Sequence, residues 1–180
     1  EKPQFAESGA AVVMNPNTGE VMGIASYPSF DLNWFVSGTD NDKLSELFQD
    51  ERNPLFNRAI SAKDTPGSIF KMCTALAALM EGKVTPSEQI DDAGKFMGLD
   101  TTHQPRCWVY PNYSQHSNQD VIAAIKNSCN YYFYTVGLRL GSASLSKWAA
   151  RLGLTSKTGI ELPSEATSFV GNQSTLYDAD

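Results

Sequence analysis

A chain of 180 residues with 41% hydrophobic and 11% aromatic content can bury a core as one domain, which excludes disorder as a description of the whole. Its net charge of -6 leaves no surplus of Lys and Arg for a nucleic-acid-binding face. No stretch approaches the roughly 20 apolar residues of a membrane-spanning helix, and Glu1-Lys2-Pro3-Gln4 is unlike a signal peptide.

In chain order, Ala10 to Met14 and Glu20 to Ser26 are β-prone runs around the cluster Asn15-Pro16-Asn17-Thr18-Gly19, which predicts a hairpin. Tyr27 to Asn57 is polar and broken by Pro28, Gly38 and Pro54, a surface excursion with a short helical signal from Asp42 to Phe48. From Ser68 to Glu81 the apolar residues Ile69, Met72, Cys73, Leu76, Leu79 and Met80 recur at helical spacing until Gly82, which predicts a buried helix. Residues 83–118 are rich in turn formers and lack a period. Three helices follow: Val121 to Ser128 behind a cap at Asn118 or Asp120, Tyr131 to Leu140, and one opened by Ser142 or Ser144 and closed by Gly153. Thr158 to Asp180 reads as loop. Strands followed by helices predict an α+β domain. Two strands are too few to cover so apolar a helix, so further strands of the sheet are expected beyond Asp180.

Ser68 and Lys71 stand three positions apart at a helix start, which sets hydroxyl and amine one turn apart on one face. Serine is a poor nucleophile until a base takes its proton, and a partly desolvated lysine can be that base. The neighbours Phe70, Met72 and Cys73 predict an apolar setting for Lys71, where an unpaired ammonium is costly. The free N–H groups of the helix start favour negative charge near Ser68. Spaced serine and lysine also occur by chance, so the surrounding residues matter.

Those surroundings, Asn57-Arg58-Ala59 and Thr65-Pro66-Gly67-Ser68-Ile69-Phe70-Lys71, resemble the nucleophile segment of class B penicillin-binding proteins of the elongation and sporulation type. The hairpin from Ala11 to Met22 and the run Ala25-Ser26-Tyr27-Pro28-Ser29-Phe30-Asp31 are similar to the opening of their catalytic domain, and Ser128-Cys129-Asn130 resembles their SxN motif. The resemblance implies the penicillin-binding and serine β-lactamase fold, with residues 1–180 as the front portion of one transpeptidase domain. It also implies a D,D-transpeptidase in which Ser68 is acylated by a stem peptide ending in D-Ala-D-Ala or by a β-lactam, Ser128 relays a proton, and Asn130 holds substrate and Lys71. A membrane glycosyltransferase partner and an extracytoplasmic place in the bacterial envelope, held by an anchoring segment outside this sequence, are implied in the same way. A class D β-lactamase and a non-enzymatic β-lactam sensor or scaffold are the alternatives.

The cysteines Cys73, Cys107 and Cys129 are odd in number and form no CxxC pair, which leaves open a bridge between Cys107 and Cys129 or shared metal ligation. Cys107, His116 and Cys129 are ligand types that suit tetrahedral zinc, and the resemblance extends to a structural zinc beside the SxN motif. Asp100 is the expected fourth ligand and His103 the reserve. Lys157-Thr158-Gly159 spells the third motif of the family, KTG, but follows a helix directly and runs into Ile160-Glu161-Leu162-Pro163, where proline disfavours a pairing strand. It is expected to be a decoy, with the functional third motif beyond Asp180.

Overall fold

The computed structural model describes residues 6–36, 41–98 and 104–171. Its backbone contacts divide the chain into two compact units, one of residues 1–64 with 159–166 and one of residues 65–158 with 167–180.

In the first unit, β1 (Gly9–Met14) and β2 (Val21–Tyr27) pair antiparallel from Gly9 opposite Tyr27 to Val13 opposite Gly23, with a bulge between Val13 and Met14. The hairpin lies where the alternation of β-prone and turn-forming residues put it. Asn15 Oδ1 accepts from the Asn17 amide at 3.0 Å, and the Gly19 amide donates to the Asn15 carbonyl at 2.8 Å. Gly19 sits at φ +78°, a conformation in which a side chain is strained. Two helices follow, α1 (Asn33–Val36), which sequence periodicity missed, and α2 (Asn41–Gln49), which widens the expected helical signal. Edge-on contacts of Phe35 with Phe30 and Phe48 join them.

Asn57 caps the short α3 (Arg58–Ser61) by accepting from the Ala59 amide. Ser26 Oγ accepts from the Arg58 amide at 3.0 Å, so β2 and α3 are fastened together. The segment from Gly159 lies along α3: the Ala166 amide donates to the Ile60 carbonyl and Ser61 Oγ to the Ser164 carbonyl, both at 2.8 Å.

The second unit is helical. A 3₁₀ turn (Gly67–Phe70) leads into α4 (Lys71–Met80), and α5 (Val121–Lys126), α6 (Asn130–Leu140) and α7 (Ser142–Arg151) follow. Its core joins Ala75 and Ala78 of α4, Val121 and Ala124 of α5, and Tyr132, Phe133 and Val136 of α6. Trp148 Nε1 of α7 donates to Glu81 Oε1 at 2.8 Å, closing α7 against the end of α4. The excursion between α4 and α5 returns through isolated backbone pairs, Ile90 with Gln119 and Lys95 with Arg106, and carries a 3₁₀ turn (Tyr113–His116).

The inward face of α4 differs from the one its large apolar residues predicted. Cys73, Thr74, Ala75, Ala77 and Ala78 are buried, whereas Ile69, Met72, Leu76 and Met80 are exposed. The distance between packed helices depends on the side chains at the contact, and short ones let α4 and α6 approach closely. All three cysteines are free thiols, so Cys107 and Cys129 form no bridge. Among the described residues no helix is long and apolar enough to cross a membrane.

Candidate active site and the adjoining ligand cluster

Ser68 lies in the 3₁₀ turn ahead of α4, and Lys71 is the first residue of the helix. A 3₁₀ turn has about three residues per turn, so side chains three positions apart eclipse each other more closely than in the α-helix expected there. Lys71 Nζ lies 3.1 Å from Ser68 Oγ. Ser68 is exposed and therefore reachable from solvent.

Ser128 comes from the junction of α5 and α6. Asp120 caps α5 by accepting from the Ala123 amide at 2.8 Å, and the helix ends with the Ser128 amide bonded to the Ile125 carbonyl and the Cys129 amide to the Ala124 carbonyl. That pair of bonds is a Schellman motif, whose left-handed position is usually glycine. Here Ser128 fills it at φ +49°, a conformation that costs an L-residue about 1 kcal/mol or more. Cys129 then caps α6, its Sγ accepting from the Tyr132 amide at 3.4 Å.

Lys71 Nζ is 2.9 Å from Ser128 Oγ, 2.8 Å from the Ser128 carbonyl and 2.6 Å from Asn130 Oδ1. Ser128 Oγ donates to Ser68 Oγ at 2.9 Å, closing a triangle of two hydroxyls and one amine. An ammonium has three protons to donate, a neutral amine two and a lone pair. The Ser128 carbonyl and Asn130 Oδ1 can only accept, so they take the two N–H bonds of a neutral Lys71 and leave its lone pair to the hydroxyls. Burial pushes the Lys71 ammonium below its ordinary value of 10.5, although Cys107 and Cys129, as thiolates, pull it upward. The Phe133 ring lies 5.7 Å from Nζ.

Asp92, Cys107, His116 and Cys129 form a buried cluster whose ligand atoms all lie within 4.8 Å of one another. Cys107 Sγ is 3.3 Å from His116 Nδ1 and 4.0 Å from Cys129 Sγ, and His116 Nδ1 is 3.9 Å from Asp92 Oδ2. Zinc bonds of about 2.3 Å to sulfur and about 2.0 Å to nitrogen or oxygen require tetrahedral ligands about 3.3 to 3.8 Å apart. The three separations of 3.3, 3.9 and 4.0 Å lie near that range, and the spread of up to 4.8 Å means that the four side chains would draw together by up to about an ångström around an ion. Asp92 Oδ2 is buried with no hydrogen-bond partner, the condition of an oxygen turned toward a cation, while its other oxygen accepts from the Gly94 amide at 2.7 Å. Burial pushes the Cys129 thiol up to about 12, an effect that a bound cation reverses. The Asn130 amide donates to Cys107 Sγ at 3.2 Å, so the cluster touches the same residue that holds Lys71.

Ser68, Lys71, Ser128 and Asn130 thus converge on one point, and Cys107, His116 and Cys129 on a second. Asp100 and His103 lie outside the described residues; the acidic group at the cluster is Asp92. The sequence signal for Asp92 was weak, an acidic pair, Asp91-Asp92, in a stretch without periodicity. Two contacts beside the site were not foreseen either: Trp108 Nε1 donates to the Asn127 carbonyl, and Gln119 accepts from Asn127 Nδ2. Lys157-Thr158-Gly159 follows α7 as irregular backbone rather than a strand.

The sequence profile of the penicillin binding protein transpeptidase domain matches residues 9–180. The peptidoglycan D,D-transpeptidase MrdA of Acinetobacter baumannii is 34% identical over 164 residues, 91% of this chain, so the chain spans only 24% of that relative's length. Among solved structures, Pseudomonas aeruginosa PBP2 in complex with WCK 5153 is similar with a TM-score of 0.86 at 29% identity, over 96% of this chain and 37% of that one. The imipenem acyl-enzyme complex of penicillin-binding protein A from M. tuberculosis is similar with a TM-score of 0.82 at 32% identity, over 91% and 38%.

Proposed function

Because this chain belongs to the penicillin-binding protein transpeptidase family, in its class B elongation and sporulation branch, we propose that it carries the nucleophile and proton-transfer groups of a serine D,D-transpeptidase. The observation that carries this reading is the grip on Lys71, whose Nζ lies within 3.1 Å of Ser68 Oγ, both oxygens of Ser128 and Asn130 Oδ1.

Neutral Lys71 accepts the Ser68 proton as Oγ attacks the carbonyl carbon of the penultimate D-Ala in a peptidoglycan stem peptide. The first N–H groups of a helical start have no partner within it, so the Ser68 amide serves as one donor to the oxyanion. The C–N bond then breaks, Ser128 Oγ hands a proton to the departing D-Ala amine, and Lys71 replenishes it. An amine of a neighbouring stem peptide attacks the Ser68 ester, forms the new amide and returns the hydroxyl. A β-lactam presents the same amide in a ring, so its amine remains tethered after opening. The M. tuberculosis relative, solved as an imipenem acyl-enzyme, supports acylation of this kind. The reading puts the protein on the outer side of the cytoplasmic membrane, where stem peptides lie, beside a glycosyltransferase that supplies the glycan.

We further propose that Asp92, Cys107, His116 and Cys129 hold one zinc ion. When bound it supplies structure, neutralising two thiolates and fixing Cys129 between Ser128 and Asn130. Its four protein ligands leave no open position for substrate.

In the full-length protein, Ser68→Ala should abolish covalent labelling by a fluorescent penicillin, and persistent labelling rejects Ser68 as the nucleophile. Wild-type adduct that is released slowly, together with exchange of D-Ala, supports a transpeptidase. Rapid release marks a β-lactamase, and a permanent adduct without exchange marks a sensor.

A further inference from the structure

We propose that Trp108, Asn127 and Gln119 form a clasp that positions Ser128 for proton relay, an inference that rests on the acyl-transfer reading above. Ser128 holds a left-handed backbone without being glycine, so its two flanking peptide groups have to be held in place.

All four polar atoms of those peptides are engaged. The Ser128 amide is held by Ile125 and the Cys129 amide by Ala124, both within the end of α5. The Ser128 carbonyl is held by Lys71 Nζ at 2.8 Å. The fourth atom, the Asn127 carbonyl, accepts from Trp108 Nε1 at 3.1 Å, the one bond of the set supplied by neither α5 nor the amine. Trp108 is anchored in turn by an edge-on contact with the His116 ring, centroids 5.4 Å apart.

The Asn127 side chain supplies the second hold. Its Nδ2 donates to Gln119 Oε1 at 2.9 Å. Gln119 is buried, its Nε2 donates to the Ser117 carbonyl at 3.0 Å, and its backbone exchanges two hydrogen bonds with Ile90. The residue preceding Ser128 is therefore tied to the excursion at two points, Trp108 and Gln119. Rotation of the Asn127–Ser128 peptide would swing Ser128 Oγ out of the triangle it makes with Ser68 Oγ and Lys71 Nζ. Trp108, Asn127 and Gln119 act through Ser128 and are positioning residues.

Trp108 is 65% exposed, so Trp108→Phe removes the indole donor while keeping a ring beside His116 and opening no cavity. Asn127→Leu removes the carboxamide at similar size. In the full-length protein, rapid-mixing kinetics with a fluorescent penicillin separate non-covalent affinity from the acylation rate at saturation. Each variant should slow saturated acylation about 10-fold or more and leave non-covalent affinity within about twofold, with the melting temperature near wild type. Wild-type acylation in both variants overturns the clasp. So does a loss of rate that tracks equal losses in affinity and melting temperature, because it marks a merely structural role. Ser68→Ala run alongside separates the two proposals: continued acylation in that variant sinks the acyl-transfer reading, whereas lost acylation there with normal rates in Trp108→Phe and Asn127→Leu sinks the clasp alone.

Discussion

Glycine at position 128 separates what the residue does for the fold from what its hydroxyl does for the chemistry. Ser128 sits at φ +49°, where a Cβ is disfavoured. Ser128→Ala keeps that strain and Ser128→Gly removes it, so the glycine variant should be the more stable of the two by about 1 kcal/mol. In a domain of 150–250 residues this corresponds to about 2–4 °C in melting temperature. Both variants lose Oγ, yet Lys71 Nζ keeps Ser68 Oγ, the Ser128 carbonyl and Asn130 Oδ1 as acceptors, enough for the three protons of an ammonium. Neither substitution therefore strands a buried charge. Acylation, by contrast, should fall about 100-fold or more, and equally in both, because general acid–base catalysis through the hydroxyl is gone. Calorimetry and rapid-mixing acylation of the full-length protein read the two effects separately. A glycine variant that acylates at the wild-type rate removes the relay role of Ser128. One that melts below the alanine variant shows that the left-handed backbone is not what burdens this position.

Burial lowers the Lys71 pKa, and the base acts as the neutral amine, so the acylation rate should climb with pH through a midpoint below 10.5 and then level off; a midpoint at or above 10.5 refutes the desolvated base. Lys71→Arg holds a permanent charge and should lose about 100-fold or more of the rate. Metal analysis of purified full-length protein should find about one zinc per chain, lost in Cys107→Ser, and a metal-free wild type removes the zinc proposal. Lys157→Ala should leave acylation within about twofold of wild type, whereas a fall of several orders of magnitude makes Lys157-Thr158-Gly159 a functional third motif after all.

The hairpin and the Ser68–Lys71 pair were legible because each depends on residues within a turn of one another. The run of β-prone residues around Asn15-Pro16-Asn17-Thr18-Gly19 specifies a strand pair locally, and a three-residue spacing at a helical start sets hydroxyl and amine on one face within reach of each other. The same holds for the cap of α5 at Asp120 and the stop after α7 at Gly153. Neither Ser142 nor Ser144 caps α7, which starts behind Gly141 with no side-chain cap, and the Cys129 cap of α6 was not foreseen. Periodicity identified an apolar face of α4 but not which neighbour covers it. The partner α6 selected the short side chains Ala75 and Ala78 over Met72 and Leu76.

What the sequence alone determined was the chemistry available: one nucleophile, one amine, the Ser128–Asn130 pair, and thiol and imidazole ligands in the stretch between. The tertiary structure decided which of these groups meet. Asp92 became the fourth member of the ligand cluster because loop backbone carried it there, and Trp108 and Gln119 came to hold Asn127 for the same reason. Ser128 took a conformation that its own side chain disfavours. Local propensity follows from the bonds and sterics of neighbouring residues, whereas these contacts join stretches far apart in the chain, and only the packed fold supplies the energy that holds them together.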